Sequence, residues 1–473
     1  MPKKEPIWGR CPFIMRGLVV AGTHSGVGKT TLTLGLLAAW RRQGISVRPF
    51  KVGPDFIDPG HHAQAANSLS HNLDGWMLSR EENLRIFRQH TGTATIAVVE
   101  GVMGLFDGYD GNTEAGCTAQ MAKWLGLPVL LLVDARSMAR SAAALVHGFA
   151  TFDRDLILAG VVFNQVGSPT HLRYLRQALE QAGEVRCFGG LPREVELAIP
   201  ERHLGLITTD DHPLKESYLE RLADLIESNL DLEGLLAVLP ALSQGKAWEE
   251  GPVYSSQPSE VRLAVARDRA FCFYYPDNLK WLARCGAEIV PFSPLDDTDL
   301  PAEVHGVYLG GGYPELFARQ LSSNQAMLRI IRERAGSGMP MYAECGGLMY
   351  LSQEIQDLQG GRHAMAKVLP FGVRMLPRLK TLGYREVTLA ADGLLGPAGT
   401  RARGHEYHYS EMISEPVDLP RLYRLTARTG GKSVEEGYTV NQVLASYVHL
   451  HFGSNPEVAW HFVGHCRGFK EKA

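Results

Sequence analysis

Between the apolar run Leu18-Val19-Val20-Ala21 and a helical pattern reaching about Gln43 lie ten residues, Gly22-Thr23-His24-Ser25-Gly26-Val27-Gly28-Lys29-Thr30-Thr31. That placement leaves the chain little choice locally: a buried strand, a tight glycine-rich turn and a helix must follow one another. Glycine lets such a turn adopt positive φ. The turn's N–H groups, backed by the helix N-terminus, then bind phosphate oxygens without strain. Lys29 would neutralise the outer phosphates of a nucleoside triphosphate, and the Thr30 hydroxyl would ligate Mg²⁺. The strict form GxxxxGK(S/T) is not met, because Thr23 stands where its first glycine belongs. The strand before the loop and the helix after it favour the phosphate reading over an ordinary strand-to-helix turn.

Further apolar runs follow at Val47–Lys51, Ile96–Glu100, Val129–Asp134 and Leu158–Asn164, with helical patterns between them. Runs buried on both faces, alternating with helices, predict a parallel sheet with right-handed crossovers. From 243 to 260 the chain turns polar and rich in Gly, Pro and Ser, as an interdomain linker does. A second alternating series begins at Val261–Ala266 and continues at Ala287–Phe292, Gly306–Leu309 and Met341–Ala343, with a strand-rich tail from about Gly372 to Phe452. A chain of 473 residues exceeds the size at which one core keeps growing. The expected organisation is a tail at 1–16, an α/β domain at 17–242, a linker at 243–260 and a second α/β domain at 261–473.

A formal charge of −3 supplies no global basic field, which argues against a nucleic-acid surface. No apolar stretch approaches membrane-spanning length and no signal peptide is evident, so a cytoplasmic protein is expected. The seven cysteines, Cys11, Cys117, Cys187, Cys272, Cys285, Cys345 and Cys466, are odd in number and widely spaced. That pattern suits reduced thiols better than a disulfide framework or a zinc site.

Cys345 stands apart from the other six. It ends the strand-like Met341-Tyr342-Ala343-Glu344 and precedes Gly346-Gly347, a turn that exposes the thiol and aims a helix N-terminus at it. A cysteine nucleophile needs a base. His449, in Ala445-Ser446-Tyr447-Val448-His449-Leu450-His451-Phe452, is the candidate. The turn Gly310-Gly311-Gly312-Tyr313-Pro314-Glu315 offers N–H groups, with Gly311 and Gly346 as expected oxyanion donors. His405 and His408 sit three apart in an expected strand, which puts them on opposite faces, so substrate contact or packing is favoured over a metal.

The variant loop resembles that of dethiobiotin synthetase and its relatives, which phosphorylate a carboxylate or carbamate. In that comparison Lys51 belongs to the nucleotide site. Asp55 and Glu100, at strand ends, converge on the loop as Mg²⁺ partners of Thr30. Asn164, ending the fifth run, is a candidate for reading the adenine edge.

Longer matches follow. Phe50-Lys51-Val52-Gly53-Pro54-Asp55-Phe56-Ile57-Asp58-Pro59-Gly60 and Glu100-Gly101-Val102-Met103-Gly104-Leu105-Phe106-Asp107-Gly108 resemble the ATP-domain signatures of the cobyrinic acid a,c-diamide synthase family. Phe273-Tyr274-Tyr275-Pro276-Asp277-Asn278-Leu279, Gly310–Glu315 and Ala445–Phe452 resemble its amidotransferase half. The resemblance covers nearly the whole chain. It implies an N-terminal P-loop ATPase domain, dethiobiotin-synthetase-like, and a C-terminal class I glutaminase-like domain. It implies Cys345 as nucleophile, His449 as base, and Asp58 and Asp107 as acids on the substrate side. Many class I domains carry Glu two residues after the histidine; His451 stands there in this chain, leaving open what orients His449.

The reaction implied is ATP- and glutamine-dependent amidation of the a and c acetates of a cyclic tetrapyrrole, cobyrinate or hydrogenobyrinate, through an acyl-phosphate. L-glutamine supplies ammonia along a guarded path, ATP and Mg²⁺ are the cofactors, and a homodimer is compatible with the resemblance. Sirohaem and nickel-sirohydrochlorin present comparable acetates and stay open as alternatives. A partitioning or scaffold ATPase with an inactive glutaminase domain is the reading from another class. His24 argues against it, standing where partitioning ATPases usually carry a second lysine.

Overall fold

The computed structural model of the chain describes residues 15–92, 94–183, 185–193, 214–242, 260–414 and 418–472. The expected tail, up to residue 14 and including Cys11, and the expected linker, up to residue 259, lie outside the described residues. The chain divides into two compact units, Met1–Glu249 and Glu250–Ala473.

In the first unit seven strands form one parallel sheet: β1 (Arg16–Gly22), β2 (Val47–Val52), β3 (His71–Leu73), β4 (Ile96–Glu100), β5 (Val129–Asp134), β6 (Leu158–Val166) and β7 (Cys187–Pro192). Their order is β3-β2-β4-β1-β5-β6-β7. The five runs read from the sequence are β1, β2, β4, β5 and β6. Two strands escaped that reading. β3 is three residues long, and β7 carries the glycine pair Gly189-Gly190, so neither shows an apolar run. Helix α1 (Lys29–Arg42) is buried along most of its length, from Leu32 to Trp40. The reason is that it packs on the helix Glu216–Asn229 as well as on the sheet. A side chain at Gly35 would meet Ile226 Cγ1 at 2.5 Å, so this helix pair needs glycine there to approach so closely.

The second unit is built on a ten-stranded sheet. Its parallel part is β9 (Ala287–Phe292), β8 (Val261–Ala266), β10 (Gly306–Leu309), β11 (Met341–Glu344) and then Val443–Ser446. Antiparallel strands continue the sheet through Val434–Val440, Arg421–Ala427, Thr381–Leu389, Arg401–His408 and His449–Leu450. Apolar clusters cover the sheet on both sides, which explains the apolar character of β10 and of β11 as far as Ala343.

Candidate active sites

In the first unit the phosphate loop is held from beneath. Gly26 and Gly28 have φ of 78° and 102°, values glycine adopts at little cost. Thr23 N–H donates to Leu132 O at 3.1 Å, and Val27 is buried beneath the turn. His24 Nδ1 lies 2.7 Å from the Ser25 carbonyl, with both residues at the surface. Thr31 is half-buried on the first turn of α1. Asn164 sits under the loop: its Nδ2 donates to the Val27 carbonyl at 2.8 Å, and a Cβ on Gly28 would meet that nitrogen at 2.6 Å. The amide expected at the adenine edge is thus engaged with the phosphate loop itself.

The carboxylates converge because of strand order. β2 and β4 are neighbours and pair in register Lys51 to Glu100, while β1 lies on the other side of β4 with Val20 opposite Glu100. Thr30 Oγ1 donates to Glu100 Oε1 at 2.8 Å and stands 3.5 Å from Asp58 Oδ2. Lys51 Nζ bridges Asp58 and Glu100, at 2.7 Å from the latter, with Asp55 Oδ2 at 3.9 Å. Burial opposes the Lys51 charge, but Glu100, Asp58 and Asp55 outweigh it and hold the ammonium up. Burial also works against ionised Glu100, yet Lys51 and His62 drive its carboxyl well down. Asp58 goes the other way, raised by burial and by Asp55. Asp55 is turned partly to the backbone, its Oδ1 accepting from Ile57 N–H at 2.7 Å to start helix α2 (Ile57–Ala66).

Lys29 Nζ donates to Met103 O at 2.5 Å, and burial followed by Lys51 lowers its pKa. Met103 takes a φ of 51°, and Asp107 Oδ2 accepts from Gly104 N–H at 3.0 Å. Asp107 therefore braces the turn on which Lys29 rests. His62 was not singled out in the sequence. It is wholly buried on α2 and its Nε2 lies 2.6 Å from Glu100 Oε2. Its nearness in sequence to Asp58-Pro59-Gly60 was the available signal.

In the second unit Cys345 caps the strand-to-helix turn with φ 47° and ψ −99°, a strained conformation for a residue with a side chain. Its N–H donates to Ser446 O at 2.7 Å, tying the elbow to the strand that leads to His449. The turn expected to expose the thiol buries it instead, and burial first and Glu315 next push the thiol up, against the thiolate. Burial depresses His449 to about 3, so both groups are neutral near pH 7. An ideal Cβ on Gly311 would lie 2.2 Å from His449 Cε1, and one on Gly346 would lie 3.1 Å from the Gly312 nitrogen. The glycine turn, the thiol elbow and the imidazole thus close on one another. The Gly311 N–H itself donates to Phe273 O at 3.3 Å. His405 packs on His449 with ring centroids 5.1 Å apart, and His408 stacks on Tyr447 at 3.9 Å, the packing member of the two expected alternatives. Cys117, Cys187, Cys272, Cys285 and Cys466 are free thiols, as is Cys345. Glu344, also unremarked in the sequence although it adjoins the nucleophile, is 2% exposed and lies 3.9 Å from His449 Nδ1.

Residues 18–207 match the CobQ/CobB/MinD/ParA nucleotide binding domain, and residues 262–457 match the CobB/CobQ-like glutamine amidotransferase domain. A Syntrophotalea carbinolica protein named cobyrinate a,c-diamide synthase is 49% identical over 456 residues, covering 95% of this chain and 98% of the relative. Relatives with the same name from Leptospira interrogans and Caldanaerobacter subterraneus are 42% and 41% identical, covering 95% and 97% of this chain and 98% and 100% of themselves. Among the described residues no helix is long and apolar enough to cross a membrane.

Proposed function

This chain belongs to the cobyrinate a,c-diamide synthase family, and from that membership we propose that it amidates the a and c acetate side chains of cobyrinate with ATP and glutamine. The observation that carries the reading is that one chain holds both a phosphate loop ringed by carboxylates and a thiol on a strained elbow beside a histidine. An inactive scaffold has no use for the second. The sirohaem and nickel-sirohydrochlorin alternatives lose ground because the relatives above are named for cobyrinate.

A carboxylate resists ammonia because its leaving group would be oxide. Transfer of the γ-phosphoryl group of ATP to a carboxylate oxygen creates an acyl-phosphate, from which phosphate departs readily. Lys29 and the N–H groups of residues 24–31 stabilise the charge on the transferred phosphoryl, while the Thr23 N–H is held by Leu132 O. Thr30, Asp58 and Glu100 offer oxygen donors beside the Lys51 ammonium, with Asp55 Oδ2 3.9 Å from that nitrogen, and such donors fit a hard cation that keeps several waters. Magnesium held there would neutralise phosphate charge. Lys51 keeps Asp58 and Glu100 fixed, and Asn164 holds the loop's shape.

In the second unit the Cys345 sulfur attacks the side-chain amide carbon of glutamine. His449 takes the thiol proton and passes it to the departing ammonia, and water then releases glutamate from the thioester. The developing oxyanion is met by the N–H groups of Gly346 and Gly312 rather than by the expected Gly311, because the Gly311 N–H donates to Phe273 O and the Gly310 N–H to Tyr274 Oη, while Gly311 packs on the imidazole. Ammonia is consumed at the acyl-phosphate. The test is to incubate the purified chain with ATP, Mg²⁺, glutamine and cobyrinate, hydrogenobyrinate, sirohaem or nickel-sirohydrochlorin in turn, and to count amide-for-acid exchanges by mass spectrometry. Two exchanges on cobyrinate are expected. Amidation of sirohaem or nickel-sirohydrochlorin alone would overturn the substrate assignment.

A further inference from the structure

We infer that the Glu344 carboxylate is the positioning residue for His449, filling the role left open by the presence of histidine at position 451. The inference rests on Cys345 and His449 being nucleophile and base. His451 is committed elsewhere: its Nδ1 accepts from Gly453 N–H at 3.1 Å to start the short turn Phe452–Ser454, and its ring packs on Tyr275 with centroids 4.6 Å apart.

Glu344 is the last residue of β11, directly before the nucleophile, and is buried. A carboxylate offers about four lone-pair sites. Three are filled: Oε1 accepts from Tyr342 Oη at 2.8 Å and from Leu450 N–H at 3.0 Å, and Oε2 accepts from Tyr308 Oη at 2.8 Å. The remaining site, on Oε2, faces His449 Nδ1 at 3.9 Å. That is longer than a hydrogen bond, but such contacts are often long in ligand-free sites and tighten in the substrate complex. The bond from Leu450 N–H also fixes the backbone next to His449, so Glu344 holds the histidine by two routes. Burial and the Glu344 charge push Tyr308 and Tyr342 well above the usual phenol range, so both remain donors that lock the carboxylate in place.

With Nδ1–H directed at Glu344, Nε2 keeps its lone pair for the thiol proton, and the imidazolium formed on transfer has a counter-charge beside it. No bond to carbon or sulfur forms or breaks at Glu344. The groups facing it are Tyr274, Tyr308, Tyr342, Tyr423, Cys345 and His449. Burial raises Glu344 to about 7, so its ionised fraction, and the support it lends His449, grow as pH rises through neutrality.

The test is Glu344→Gln in the full chain, alongside Cys345→Ala. Glutamine hydrolysis by Glu344→Gln should lose about a hundredfold or more in kcat, the scale of positioned acid–base catalysis, with KM for glutamine within about threefold. The acid limb of its pH profile should move, which a simple loss of folded protein would not do. Ammonia-driven amidation reports on the first unit, and a melting curve matching wild type shows that the second unit, which carries the substitution, is folded. Nitrogen-15 NMR of histidine-labelled wild-type chain gives a second readout that needs no variant at position 344. Once the His449 signal is assigned with His449→Gln, it should show the Nδ1–H tautomer. Wild-type kcat with an unmoved limb in Glu344→Gln, or an Nε2–H tautomer, would overturn the inference. Undiminished glutaminase activity in Cys345→Ala would instead overturn the thiol reading beneath it.

Discussion

Gly311→Ala is the most direct probe of how the thiol site is held. The added Cβ would lie 2.2 Å from His449 Cε1 and 3.2 Å from both ring nitrogens, whereas ordinary contact begins near 3.4 Å. The ring must therefore retreat by about 1.2 Å, the difference between 2.2 and 3.4 Å. Backbone conformation is not the obstacle, because Gly311 does not adopt a positive φ. The imidazole has little room to yield: His405 stacks on one side and Glu344 lies 3.9 Å from Nδ1. A misplacement of about 1 Å in reacting groups costs about a hundredfold in rate. Glutamine hydrolysis should fall by roughly that factor, about 2.7 kcal/mol in barrier, while ammonia-driven amidation persists. The assay is glutamate release with glutamine, set against product formation with ammonium chloride, on the same preparation. Gly312→Ala is the contrast. Its Cβ would strike the Ala270 carbonyl oxygen at 2.1 Å from a backbone with φ 152°, so it should lower the melting temperature. Wild-type glutaminase activity in Gly311→Ala would refute the placement of His449 against the glycine turn.

Cys345→Ala should abolish glutamine-driven amidation but keep the ammonia-driven reaction, and Lys29→Ala should depress both; retained activity with either nitrogen source in Lys29→Ala would contradict phosphate activation. Burial raises Cys345 above the ordinary thiol range, so the thiolate gains as pH rises. Iodoacetamide alkylation of Cys345 without glutamine should still be accelerating at pH 9, and a plateau below pH 7 would indicate a preformed ion pair instead. Asn164→Ala frees the Val27 carbonyl, a loss of about 1 kcal/mol for such a bond, and should weaken ATP and GTP binding alike by several-fold in calorimetry. Selective loss of ATP over GTP would restore Asn164 to the adenine edge.

The local motifs were legible because their physics is local. A glycine-rich turn between an apolar run and a helix cradles phosphate by backbone alone, and a thiol before two glycines implies an elbow. Both could be read from Gly22–Thr31 and Met341–Leu348 with no knowledge of what packs around them. Alternating runs likewise disclosed five strands of the first sheet, since a strand buried on both faces must be apolar throughout. Convergence of Glu100 on Thr30 was expected from the resemblance to dethiobiotin synthetase, but not which further side chains would join it. Thr30, Lys51, Asp58 and Glu100 meet because β2, β4 and β1 lie side by side with Lys51 opposite Glu100, and strand order is a property of long-range pairing. The same holds for Asn164 beneath the phosphate loop, His62 behind Glu100 and Glu344 beside His449. Each is an ordinary polar residue in the sequence. Each acquires its place only when burial strips water from it and the surrounding strands decide which partner replaces that water.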